Sequence, residues 1–157
     1  MTAVNDLPRH SVSVTGIVVR GDGRILAIQR EDDQRWVPPG GVLELNETPE
    51  QCVVREVREE TGVLIQPDRL TGIYKNMRLG VVSLAFRCTP IDGTAHTSAE
   101  ATSVAWIDPA EAARMMPPAR GIRVTDALAD AGPYVRVHDG TDLLDDADVA
   151  AITRPTA

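Results

Sequence analysis

Glu56, Glu59 and Glu60 stand three and four residues apart in the segment GVLELNETPEQCVVREVREETGV, which runs from Gly41 to Val63. On a helix that spacing puts all three carboxylates on one face. They repel one another there by roughly a few tenths of a kcal/mol per pair. They also crowd the C-terminal end of the helix, where the backbone dipole prefers cations. Arg55 and Arg58 are expected to point around the helix away from this stripe. A hard divalent cation resolves the conflict, because Mg²⁺ takes carboxylate oxygens, keeps several waters and shares its shell with substrate phosphates. The plainer reading is a solvated charged face, and the three glutamates alone do not exclude it.

The helix that must carry them is well marked. Thr48 suits the cap, Pro49 the first helical position, Gln51 the return bond of a capping box, and Gly62 the left-handed residue past the last turn. The helix is therefore predicted over Pro49–Thr61. Val53, Val57 and Thr61, with Val54 beside them, form its apolar side, which should pack on a sheet and leave the carboxylates lining a cleft.

The neighbouring residues decide for the metal. From Gly41 the chain reads G-x5-E-x7-R-E-V-x-E-E-x-G-V, with Gly41, Glu47, Arg55, Glu56, Val57, Glu59, Glu60, Gly62 and Val63 at the fixed positions. This resembles the signature box of the Nudix hydrolases, and no fixed position departs from it. The resemblance implies an α/β/α sandwich with a mixed β-sheet and a loop–helix–loop metal site. The implied activity is hydrolysis of a nucleoside diphosphate linked to another group, dependent on Mg²⁺ with Mn²⁺ as the alternative. It further implies that Glu56, Glu59 and Glu60 bind the metal and that Glu47 and Arg55 form a structural ion pair. The carbonyl of Gly40, just ahead of the box, would complete the metal shell.

Phosphoanhydride hydrolysis needs charge neutralisation, an in-line water and a base for that water. In this family the base comes from different glutamates, some inside the box and some on a later loop. Here the later candidate is Glu100, whose plain alternative is an exposed loop acid. Arg30, at the end of a predicted strand, falls where related proteins contact a phosphate, although a surface arginine is the competing reading. Trp36 could stack on a base or pack in the core.

Substrate marks are sparse. Some branches of the family carry a proline or a tyrosine downstream of the box, for ADP-ribose and dinucleoside polyphosphates respectively, but the region Arg78 to Val81 holds neither. An NADH-type SQPWPFPxS run and the coenzyme A mark are missing too. Nucleoside triphosphates and nucleoside-diphosphate sugars remain. A non-catalytic nucleotide- or metabolite-sensing module on the same fold is the alternative, and the intact glutamate triad argues against it.

Composition sets the outer bounds. A chain of 157 residues is most simply one domain. Its formal charge of −7 argues against binding nucleic acid, whose phosphates need basic surface. Two cysteines, Cys52 and Cys88, cannot build a disulfide framework, and together with the lack of an apolar leader or membrane-length run they point to a cytoplasmic protein. A small-molecule nucleotide is the expected partner, with the protein a monomer or homodimer.

Along the chain, residues 1–10 read as a flexible lead-in, 11–132 as the Nudix domain, and 133–157 as an extension open between tail, added helix and interface segment. Ser11–Arg20 and Arg24–Arg30 read as strands joined by the Gly21-Asp22-Gly23 turn into a hairpin. The unbroken apolar run Ile25 to Ile28 suits a strand covered on both faces. A short segment from Val63 to Ile65 leads to Pro67, and strands are predicted at Leu70–Met77, Val81–Cys88 and Ser103–Ile107. Asp108 should cap a short helix ended by Pro117-Pro118, with a second helix at Arg120–Ala131.

Overall fold

The computed structural model describes residues 4–153. After a 3-10 turn at Val4–Asp6, strands β1 (Ser11–Val18), β2 (Ile25–Arg30), β3 (Trp36–Val37) and β4 (Gly40–Val42) lead into helix α1 (Pro49–Thr61). There follow β5 (Leu64–Asn76), β6 (Val81–Asp92), β7 (Ala101–Ile107), α2 (Pro109–Met115), α3 (Pro118–Leu128), β8 (Tyr134–His138) and α4 (Asp146–Thr153). One mixed sheet runs β4-β1-β6-β5-β8, and a second, antiparallel one runs β3-β2-β7.

β1 organises the layers because its two faces go to different helices. Val14 and Val18 join Val53 and Val57 of α1 in one buried cluster, while Ile17 joins Ala112 of α2 and Val124 and Ala127 of α3 in another. β2 divides in the same way, with Leu26 in the first cluster and Ile25 and Ala27 in the second. That accounts for its unbroken apolar run. The result is the expected α/β/α arrangement around a mixed sheet.

Three expectations change. β1 and β2 do not form a hairpin: the turn closes with Arg20 N–H on Arg24 O at 2.8 Å and a single bridge between Val19 and Ile25, after which the strands part. Both edges of β1 are taken by β4 and β6, and both edges of β2 by β3 and β7. Pro67 does not break the chain into separate pieces but sits within the long β5. It is tolerated because the register slips between Pro67 and Arg69, and because β8 pairs only with Gly72 to Asn76, leaving the edge beside Pro67 open. Pro118, read as a stop, instead opens α3 at its first position, and α3 ends at Leu128. Tyr134–His138 adds the fifth strand of the main sheet, parallel to β5.

Among the described residues, no helix is long and apolar enough to cross a membrane.

Candidate active site

α1 begins and ends as its caps dictate. The Thr48 hydroxyl accepts from Gln51 N–H at 3.2 Å, and the Gln51 side chain accepts from Thr48 N–H at 2.9 Å. Gly62 closes the helix at φ 77°, a conformation that suits glycine. Its N–H bonds Arg58 O at 2.8 Å. The helix turns Cys52, Val53, Glu56, Val57, Glu60 and Thr61 inward. Glu56 and Glu60 thus lie one turn apart on a buried face.

Gly41 makes room for that arrangement. A side chain there would displace the Glu56 carboxylate, so glycine lets the strand lie against the acid where it sits. Pairing of Gly41 with Val14 and of Gly40 with Thr15 fixes this strand on the edge of β1.

Glu100 arrives from the far side. His96 N–H bonds Thr61 O at 2.8 Å, pinning its loop to the end of α1. Ser98 and Ala101 close a tight turn around Glu100, whose carbonyl accepts from Glu31 N–H at 3.0 Å. Carboxylate oxygens of Glu56, Glu60 and Glu100 come within 4.8 Å of one another. Glu60 is only 3% exposed, and its Oε2 has no hydrogen-bond partner. Burial first, and then the Glu56 charge beside it, push the Glu60 carboxyl up to about 8, with Glu100 adding to the effect and the Gly40 amide opposing it. Burial also raises Glu56, against the pull of Arg55.

Arg55 departs from expectation. It points into the carboxylates rather than away from them, donating Nη1 to Glu56 at 2.9 Å and to Glu59 at 3.3 Å. Its Nε and Nη2 grip Glu47 at 2.9 and 2.6 Å. That grip holds the Glu47 carboxyl at about 2. The helix rotates Arg55 toward the loop because Glu47 and the Val42 carbonyl wait there. Glu59 lines the same cleft but is exposed and lies outside the close group.

The cleft has a volume of about 800 Å³ and takes in Gly40, Arg30, Glu56, Glu59, Glu60 and Glu100. Arg30 faces it with its guanidinium held by Asp32 and, at 3.8 Å, by Asp33. Trp36 packs instead against the cluster beneath α2 and α3. Two lining arginines escaped the sequence reading, Arg120 and Arg123 of α3. Nothing in their local pattern marks them, since they reach the cleft only through the packing of α3 on the sheet.

Glutamates converging on a buried oxygen without a partner, beside a glycine-rich strand and within a cleft of ligand size, form a site on a mixed α/β scaffold that could hold a hard divalent cation. The NUDIX domain model matches residues 9–126. A MutT-like protein of Streptomyces ambofaciens is 56% identical over 137 residues, covering 87% of this chain and 89% of that protein. An ADP-ribose pyrophosphatase of Methanocaldococcus jannaschii is 33% identical over 105 residues, 62% of each chain. A NUDIX hydrolase structure from Nitrosomonas europaea superposes with a TM-score of 0.72 at 19% identity, over 83% of this chain and 78% of that one. The chain belongs to the Nudix hydrolase family.

Proposed function

We propose that this protein hydrolyses the phosphoanhydride of a nucleoside diphosphate linked to another moiety, in a reaction that depends on a divalent cation. The observation that supports this most is the Glu56–Glu60–Glu100 group, closed to within 4.8 Å around a buried oxygen that nothing else satisfies. Such an oxygen is costly without a proton or a cation. The donor set is all carboxylate, which fits Mg²⁺ or Mn²⁺ rather than a softer metal.

In this reading Glu56, Glu59 and Glu60 hold the metal, with the carbonyl of Gly40 beside them. When bound, the metal neutralises phosphate charge and lowers the pKa of a water. Glu100 approaches from the turn ahead of β7 rather than from α1, so it can take a proton from a water on the side that the helix does not fill. Arg30 steadies a phosphate, with Asp32 and Asp33 setting its direction. The bidentate Arg55–Glu47 pair fixes the loop ahead of α1 and turns Glu56 toward the cleft.

The relative named as an ADP-ribose pyrophosphatase keeps that substrate in view. The absence of its downstream proline favours nucleoside triphosphates or nucleoside-diphosphate sugars. The deciding experiment measures phosphate, pyrophosphate and mononucleotide release from a panel of nucleotides, with and without Mg²⁺. Release from none of them, with nucleotide binding intact, would replace the hydrolase reading by a sensing module.

A further inference from the structure

α3 brings two guanidinium groups into the cleft that no carboxylate neutralises. Arg123 is 3% exposed. Its Nη1 donates to Thr15 at 2.7 Å and to Ser83 at 3.0 Å, and its Nε to the Ala119 carbonyl at 3.1 Å. Its Nη2 lies 3.4 Å from His138 Nε2. That contact is not a hydrogen bond, because Gly140 N–H already donates to Nδ1 at 2.9 Å, which leaves the imidazole proton on Nε2. Arg123 therefore holds its charge among neutral partners, with one nitrogen unused.

Arg120 sits one turn earlier, half-buried, and lines the same cleft. Its guanidinium has no hydrogen bond or ion pair with any described residue. The charges around it are mainly of its own sign: Arg30 and Arg35 repel it, Asp33 alone attracts it, and it repels Arg123 in turn. Asp33 is already shared by Arg30 at 3.8 Å and Arg35 at 4.0 Å. Partly buried like charges are unfavourable unless an anion joins them. Arginine's planar fork suits a phosphate. The glutamate group accounts for a metal-bound diphosphate but leaves this positive wall without a counterpart.

The geometry points to an anion subsite formed by Arg120, backed by Arg123, that takes a phosphate of the substrate not held at the glutamate cluster. This rests on the hydrolase reading above and narrows it. The substrate carries a third anionic phosphate, as a nucleoside triphosphate does, rather than ending in an uncharged sugar. Arg120 is then a specificity-determining residue.

The test uses the full chain and its Arg120→Gln and Arg120→Lys variants. Calorimetry with inorganic tripolyphosphate, without divalent metal, reads the subsite apart from turnover. Arg120→Gln should weaken binding at least tenfold, Arg120→Lys should restore part of it, and the melting temperature without ligand should be unchanged or higher because a repulsion has gone. In steady state with Mg²⁺, Arg120→Gln should lower kcat/KM for a nucleoside triphosphate by about 100-fold, as for loss of one partner in a desolvated charge pair. The loss on a nucleoside-diphosphate sugar with a neutral sugar should be at least tenfold smaller. Equal tripolyphosphate affinity in parent and Arg120→Gln, or equal losses on both substrates, overturns the subsite. If the parent hydrolyses neither nucleotide, the hydrolase reading fails, while the tripolyphosphate titration still decides the subsite.

Discussion

Beneath α3, Tyr74 donates to Asp126 at 2.7 Å, and Arg136 holds the same carboxylate through two bonds of 2.8 Å. Beside α1, carboxylate oxygens of Glu56, Glu60 and Glu100 gather within 4.8 Å of one another, yet Glu60 Oε2 finds no partner. Each group centres on a buried helical carboxylate, Asp126 of α3 in the first and Glu60 of α1 in the second. The first balances itself: acid, phenol and guanidinium satisfy one another, so it needs nothing from outside. The second is balanced only by an added cation or a proton. A self-contained network fixes the position of α3, whereas an incomplete one marks where a ligand is expected. Burial by itself separates neither role, and the partner count does.

The sharpest way to break this contrast is Glu60→Gln. Turnover should fall by about 1000-fold or more, the scale of losing a metal ligand that stabilises phosphoryl charge. Calorimetry should show Mg²⁺ or Mn²⁺ binding strongly weakened. Without metal the variant should be at least as stable as the parent. Glu60 has a folded value of about 8 against 4.5 for a free carboxyl. The fold therefore favours its protonated form, and stability is lost as pH rises from 4.5 through 8. The advantage of the glutamine variant in melting temperature should grow over that interval. Equal metal affinity in parent and variant would dissolve the assigned ligand set.

Asp126→Ala tests the other side. It strands the buried Tyr74 hydroxyl and unpairs Arg136, at a cost of roughly 3 kcal/mol in urea unfolding. Below the melting transition, kcat should stay within a few-fold of the parent. A stability change near zero would mean that the network is not what anchors α3.

Glu100→Gln comes next in size. As the one member of its group supplied from outside α1, by the turn ahead of β7, it should lower turnover by about 100-fold, the range for a general base or its positioner. Metal affinity should change less than in Glu60→Gln. Turnover within a few-fold of the parent would return the base to the box helix.

The readable part of the molecule was what local chemistry dictates. The α1 caps lie within one short stretch, Thr48 to Gly62, and each is a short-range bond, so Thr48, Gln51 and Gly62 predicted the helix ends. The alternate destinations of Val14 and Ile17 follow from strand periodicity. What escaped was pairing at a distance. The Gly21-Asp22-Gly23 turn looks like a hairpin until β4 and β6 claim both edges of β1. Pro67 looks like a stop until one sees that the neighbouring edge is open. Arg120 shares a cleft with Glu60 across sixty positions, and no local pattern could place it there. The direction of Arg55 was also misread from helix geometry alone, because a long side chain goes where its acceptors are.

That side chain supplies the smallest test and the one that joins the two kinds of region. Arg55 is structural toward Glu47 and electrostatic toward Glu56, so its two halves should separate. The grip of Arg55 lowers Glu47 from 4.5 to about 2. A depressed carboxyl contributes stability that is present above its unfolded value and lost as pH falls from 4.5 through 2. Arg55→Ala should therefore flatten the acid limb of the melting curve in that window, and Glu47→Gln should flatten it as well. Combining them should add little, since each has already removed the pair. Near neutral pH, Arg55→Ala should also lower turnover roughly tenfold, as expected for losing a partner that orients a metal ligand. Glu47→Gln should cost less, because Arg55 can still donate to Glu56. Additive effects on the acid limb would show that Glu47 and Arg55 act independently, leaving the loop ahead of α1 to be held by the Gly41–Val14 strand pairing alone.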